Sequence, residues 1–104
     1  MSEVEFLKWC RRHHFRTPAT RVRKDSAGRR RYLDAEFDLP RERLMVEIDG
    51  GIHLRLDKRW EDTAKDNDVA IARKLTLRFP SIAIYTDDAR AVAQLREAIA
   101  TCQR

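Results

Sequence analysis

YLDAEFDLPRERLMVEIDGG, residues 32–51, is the stretch from which the architecture is read. Leu33, Ala35, Phe37 and Leu39 alternate with Tyr32, Asp34, Glu36 and Asp38, which is the period of a half-buried strand. After a connection at Pro40 to Arg43, Leu44, Val46 and Ile48 form a second apolar face, with Met45, Glu47 and Asp49 on the other, and Gly50-Gly51 closes the strand. If the connection closes an antiparallel pair symmetrically, Asp34 faces Asp49 and Glu36 faces Glu47, and Asp34 and Glu47 become diagonal neighbours. Like charges opposed across a sheet destabilise it, so a folded chain pairs them with Arg or Lys, leaves them in water, or uses them to hold a cation. The pattern leaves two readings open: a hard-oxygen site for Mg²⁺ or Mn²⁺, and a solvated acidic face with arginine partners.

Outward from this pair, Ser2-x-x-Glu5 has the spacing of a capping box, and Phe6, Trp9, Cys10 and His13 follow at helical intervals, predicting a helix over 3–14 that Pro18 ends. Residues 20–24 form a short strand candidate, and the Asp25 to Gly28 turn folds it back on residues 32–39 as a hairpin. Residues 57–75 read as one helix with Trp60, Ala64, Asn67, Ile71 and Leu75 on its buried stripe. Asn67 there reads as a hydrogen-bonded buried amide. Residues 75–79 read as a strand and 82–85 as extended or irregular. Thr86 or Asp87 then caps a last helix with Val92, Leu95, Ile99 and Cys102 as its stripe. The expected order is α-β-β-β-α-β-α, an α/β sheet with helices packed on it.

With 104 residues the chain has room for one domain, 1–104, and its 42% hydrophobic and 38% charged composition excludes a disordered or collagen-like chain. No apolar run approaches the roughly 18 to 20 residues of a spanning helix, and no secretory signal opens the chain, so no membrane partner and a cytoplasmic, intracellular location are expected. Cys10 and Cys102 read as buried thiols, too few for a disulfide scaffold. Charge is unevenly placed. Residues 1–31 hold ten Lys/Arg against three acids, hence +7, and residues 32–104 hold twelve against fourteen, hence −2. A basic third beside a carboxylate face suits a phosphate-bearing partner, although a solvated basic face without one fits the same arithmetic.

The run Arg29-Arg-Arg-Tyr-Leu-Asp34, the segment Met45-Val-Glu47-Ile-Asp49-Gly50-Gly-Ile-His53, the Asp66-Asn67 pair, Leu77-Arg78-Phe79-Pro80 and the Ser-x-x-Glu helix start together resemble the very-short-patch-repair-like endonucleases of the PD-(D/E)XK superfamily. The resemblance runs from Ser2 to about Ile99. It implies a restriction-endonuclease-like mixed sheet flanked by helices, with a Mg²⁺ or Mn²⁺ site for hydrolysis of DNA phosphodiesters. Asp34 takes the place of the first acidic residue, Glu47 that of the second, and Ile48 offers its backbone carbonyl to the metal. Asp49 stands where the broader superfamily has lysine. Asp49 and His53 are the candidates for proton transfer or further metal ligation, and Glu5 matches a helix glutamate that reaches toward the metal in some relatives. Arg29, Arg30 and Arg31 would grip the DNA backbone without reading bases. The resemblance also allows that the chain is a domain excised from a longer protein with a further DNA-binding domain or partner. The rival expectation is a nucleic-acid-binding module that keeps the fold without catalysis.

Overall fold

A computed structural model describes residues 1–24, 28, 31–50, 56–73 and 76–103. Its elements follow the order α1 (Glu3–Arg12), β1 (Ala19–Lys24), β2 (Arg31–Asp38), β3 (Arg43–Asp49), α2 (Leu56–Arg73), β4 (Leu77–Pro80), α3 (Ser81–Tyr85) and α4 (Ala89–Gln103). The four strands make one mixed sheet in the order β1-β2-β3-β4, antiparallel except for the parallel β3–β4 pair. Parallel pairing needs a long crossover, and α2 supplies it.

Alternation in β2 and β3 is as read: Leu33, Ala35, Phe37, Leu44, Val46 and Ile48 are buried, and their intervening neighbours are partly or fully exposed. These residues join Leu77 and Phe79 of β4, Phe6, Trp9 and Cys10 of α1, Trp60, Ala64 and Ile71 of α2, Ala83 and Ile84 of α3, and Leu95 and Cys102 of α4 in one core. Each large side chain fully withdrawn there contributes about 1.5–3 kcal/mol. Burial pushes the Cys10 thiol up to about 12, so it stays protonated and behaves as a small apolar group.

The register differs from the symmetric expectation by two residues. Asp34 lies directly opposite Glu47, Tyr32 opposite Asp49 and Glu36 opposite Met45, while Asp38 meets Arg43 across a loop closed by Leu39 N–H donating to Glu42 O at 3.3 Å. A two-residue shift keeps every side chain on its face. It replaces two like-charge pairs by one, sets Asp38 against a cation, and brings Phe37 against Leu44. At the far end Gly50 N–H donates to Arg31 O at 2.9 Å, and a Cβ at Gly50 would sit 3.1 Å from that oxygen, so the close return of β3 onto β2 favours glycine there.

Three further boundaries are corrected. Helix α1 stops at Arg12 because His14 enters the left-handed region at φ 61°. Residues 82–85 are helical rather than extended, their short helix α3 beginning at Ser81 directly after Pro80. Asp88, not Thr86 or Asp87, caps α4, its Oδ1 accepting from Arg90 N–H at 2.8 Å. The buried side of α4 is Ala91, Gln94, Leu95, Ala98 and Cys102, with Val92 and Ile99 at its margin. Gly28, in the left-handed region at φ 68°, suits the expected hairpin turn, whose remaining residues Asp25, Ser26 and Ala27 lie outside the described set.

Asp87 instead ties α1 to the α3–α4 junction. Its Oδ1 accepts from Trp9 Nε1–H at 2.9 Å and from His13 Nε2–H, and Arg12 Nη1 is 3.8 Å from Oδ2. The His13 hydrogen bond, helped by Trp9 and the Arg12 charge, holds this carboxyl below its ordinary range. A carboxyl depressed in the folded state stabilises it above the unfolded pKa of about 4, and that contribution fades as pH falls through the folded value. Asp87→Asn tolerates the same φ of 55° and removes only the charge. The wild type should melt above the variant at neutral pH, with the gap closing below about pH 4; a gap independent of pH in thermal melts would assign Asp87 no electrostatic part.

Candidate active site

Strand alternation sets one row across the non-core face: Arg21 of β1, Asp34 of β2, Glu47 of β3 and Arg78 of β4 are successive register partners. Two carboxylates thus stand side by side between two cationic positions. The next row is Arg23, Tyr32, Asp49 and Pro80. Asp34 and Glu47 side chains are 27% and 25% exposed, open to water without being fully hydrated.

Arg23 reaches back along the sheet to this pair. Its Nε donates to Asp34 Oδ2 at 3.0 Å and its Nη2 to Oδ1 at 3.4 Å, while Nη2 lies 3.5 Å from Glu47 Oε2. Arg78 Nε is 4.0 Å from the same Glu47 oxygen. The hydrogen bond to Asp34 raises the Arg23 pKa further, so the guanidinium is a permanent charge. Cross-strand repulsion between the acids is therefore answered by arginine.

Comparison with family models, curated proteins and solved structures returns no match.

Of the residues singled out from sequence, Asp34 and Glu47 are adjacent, and Asp49 lies one pair further along the same face, half-buried. Ile48 sits between Leu33 and Phe79 with its side chain in the core and paired strands on both sides. Arg31 is exposed at the start of β2, opposite Lys24. Arg29, Arg30 and His53 lie outside the described residues. Among the described residues no group of three or more His, Cys, Asp or Glu side chains converges as a metal cage. The donor set nevertheless fits one kind of ion: Mg²⁺ typically takes one or two carboxylates and keeps several waters. Asp34 and Glu47 supply that number of hard oxygen groups, on an open face.

Glu5 closes the capping box: Ser2 N–H donates to its Oε2 at 2.8 Å, and Glu5 N–H donates to Ser2 Oγ at 3.1 Å. Tyr85 O–H donates to the same Oε2 at 2.8 Å. The Ser2 bond and then the Tyr85 bond lower the Glu5 pKa. Its hydrogen bonds to Ser2 and Tyr85 serve the helix start and the α3 junction. Glu5→Gln keeps an acceptor oxygen at the same place, so it should change Tm by less than about 3 °C, the surface-substitution scale for a chain of this length. It should also leave any metal-dependent cleavage intact; a cleavage loss at unchanged Tm would return Glu5 to the catalytic centre.

The sequence reading names Arg29 to Arg31 and does not single out Arg21 and Arg23, which the structure brings to the carboxylate face. The signal was present: Arg21 and Arg23 flank Val22, and hairpin pairing with an alternating strand carries both to the carboxylate face.

Proposed function

We propose that this chain is a divalent-metal-dependent DNA endonuclease or nickase, related to the very-short-patch-repair-like endonucleases and built on a restriction-endonuclease-like fold. The observation that carries the reading is the row Arg21, Asp34, Glu47, Arg78: a direct carboxylate pair, partly exposed, between cationic positions on one open sheet face. The element order and the mixed sheet, with one acid on each of two adjacent strands, support the family assignment. Mg²⁺ or Mn²⁺ held there would activate a water and neutralise charge on the scissile phosphate. Asp34 and Glu47 are the ligands, Ile48 contributes its carbonyl, and Asp49 and His53 hold or move protons. Arg21, Arg31 and Arg78, all exposed, grip phosphate oxygens alongside Arg29 and Arg30. Among the described residues no helix is long and apolar enough to cross a membrane, and DNA inside the cell is the proposed substrate. A further DNA-binding domain or partner protein would present that substrate.

One observation favours a second reading. Arg23 offsets one charge of the acidic pair without any metal, as a non-catalytic nucleic-acid-binding module would need. Purified chain incubated with duplex, mismatched, nicked and single-stranded DNA separates the two. The nuclease cleaves at least one substrate in Mg²⁺ or Mn²⁺ and none in EDTA. Absence of metal-dependent cleavage on all four, together with no Mn²⁺-induced rise in Tm, rejects the enzyme in favour of the binding module.

A further inference from the structure

Arg23 is 37% exposed, yet its guanidinium is held from three sides. It lies 4.4 Å from the centroid of the Tyr32 ring, its direct register partner, and meets Asp34 through two nitrogens and Glu47 through one of them. A planar cation stacked on an aromatic face and forked onto a carboxylate is well oriented and hard to replace by lysine. One cation thus spans both carboxylates, which is the role a shared divalent ion would take.

We propose that Arg23 is a built-in counter-ion of the Asp34–Glu47 pair, so that a divalent cation binds only when the guanidinium withdraws, and the withdrawn Arg23 is then available to a DNA phosphate. This rests on the nuclease reading above. Arginine cannot make room by losing its proton, because a guanidinium stays charged in proteins. A guanidinium left beside a divalent ion would repel it while competing for the same oxygen lone pairs. Displacement is the remaining route, and an exposed side chain at the end of an edge strand can take it. The arrangement offsets one of the two carboxylate charges in the absence of metal and couples metal loading to the release of a phosphate-binding group on the same face.

Two measurements test it. Mn²⁺ affinity is read from the electron paramagnetic resonance of free Mn²⁺ for wild type and Arg23→Gln, and Mg²⁺ is titrated into wild type while hydrogen exchange at the Arg23 Nε–H is followed by NMR. Loss of the competing ion pair should tighten Mn²⁺ binding in Arg23→Gln by about fivefold, the scale of a half-exposed pair. In wild type the Nε–H should be protected in EDTA and exchange freely at saturating Mg²⁺. Equal or weaker Mn²⁺ binding by the variant overturns the counter-ion role while leaving the nuclease reading standing. Tighter binding by the variant with the wild-type Nε–H still protected at saturating Mg²⁺ overturns displacement, since charge acting at a distance then accounts for the affinity. If neither protein binds Mn²⁺ at millimolar concentration, the metal site fails and takes both proposals with it. The exchange measurement needs no variant, so a poorly folding Arg23→Gln does not shelter the proposal.

Discussion

Glu47→Gln is expected to lower metal-dependent DNA cleavage by about 10³-fold, the scale on which removal of one electrostatic element of a transition-state site is felt. The substitution keeps nearly the same volume and removes one of the two charges that hold the ion. Its effect on the metal-free fold is small, for a reason visible in the ion pairs. Arg23 retains both of its contacts to Asp34, and Glu47 is only partly withdrawn from water, with Arg78 4.0 Å away as its other partner. Half-exposed pairs of this kind are worth up to about 1 kcal/mol, so Tm in EDTA should stay within several degrees of wild type. Mn²⁺ then separates the proteins: a ligand stabilises the state that binds it, so wild type should gain Tm and the variant should gain less. Equal Mn²⁺ shifts, with cleavage retained, would remove Glu47 from the metal site.

That prediction depends on a register that the sequence left open. Alternation in residues 32–39 and 44–48 assigns every side chain to a face, since a strand has only two, and the structure keeps each assignment. Alternation is blind to shifts of two. The choice between Asp34 opposite Asp49 and Asp34 opposite Glu47 is made by charge and by the loop at 39–42, through Asp38 against Arg43 and the removal of one like-charge pair. Helix periodicity likewise located Trp60, Ala64, Asn67 and Ile71 on the buried side of α2. It was less successful where the chain turns sharply. Residues 81–85 are too short for a helical period to register, and whether Asp87 or Asp88 caps α4 depends on a single positive φ at Asp87. At the site, the two acids were legible as types in a pattern. Their guanidinium neighbour was not, because Arg23 comes to them across a hairpin from eleven positions upstream of Asp34.

Asn67→Leu is expected to be among the most destabilising exchanges in this chain. Parallel pairing with β3 leaves the backbone of Arg78 facing outward at the far edge of the sheet, where an unpaired N–H and C=O invite either water or another strand. Asn67, 2% exposed on α2, closes that edge with its amide: Arg78 N–H donates to Oδ1 at 2.9 Å, and Nδ2 donates to Arg78 O at 2.7 Å. The same Nδ2 donates to Gln94 Oε1 at 3.0 Å, and Gln94 Nε2 donates onward to Ala64 O at 2.8 Å, so α2, α4 and β4 share one satisfied network. Among the described residues no buried side-chain polar atom lacks a partner. Leucine fills the volume and strands three groups at once, each costing about 1–3 kcal/mol when left unmet. A loss near 3 kcal/mol is therefore expected, a fall in Tm of about 12–24 °C for a chain of this length. Asn67→Asp provides the control. It still accepts from Arg78 N–H but turns a second oxygen toward Arg78 O and Gln94 Oε1, so its buried carboxyl should titrate above the ordinary range. A carboxyl raised in the folded state stabilises it below the unfolded pKa and loses that contribution as pH rises through the folded value. The Asp variant should therefore recover stability relative to the Leu variant as pH falls, when its protonated oxygen can again donate. The cleft beside this edge, lined by Thr63, Asp66, Thr76 and Arg78, marks where water would have to enter. A loss below about 1 kcal/mol in Asn67→Leu would mean that water satisfies the Arg78 edge through that cleft as well as the asparagine does.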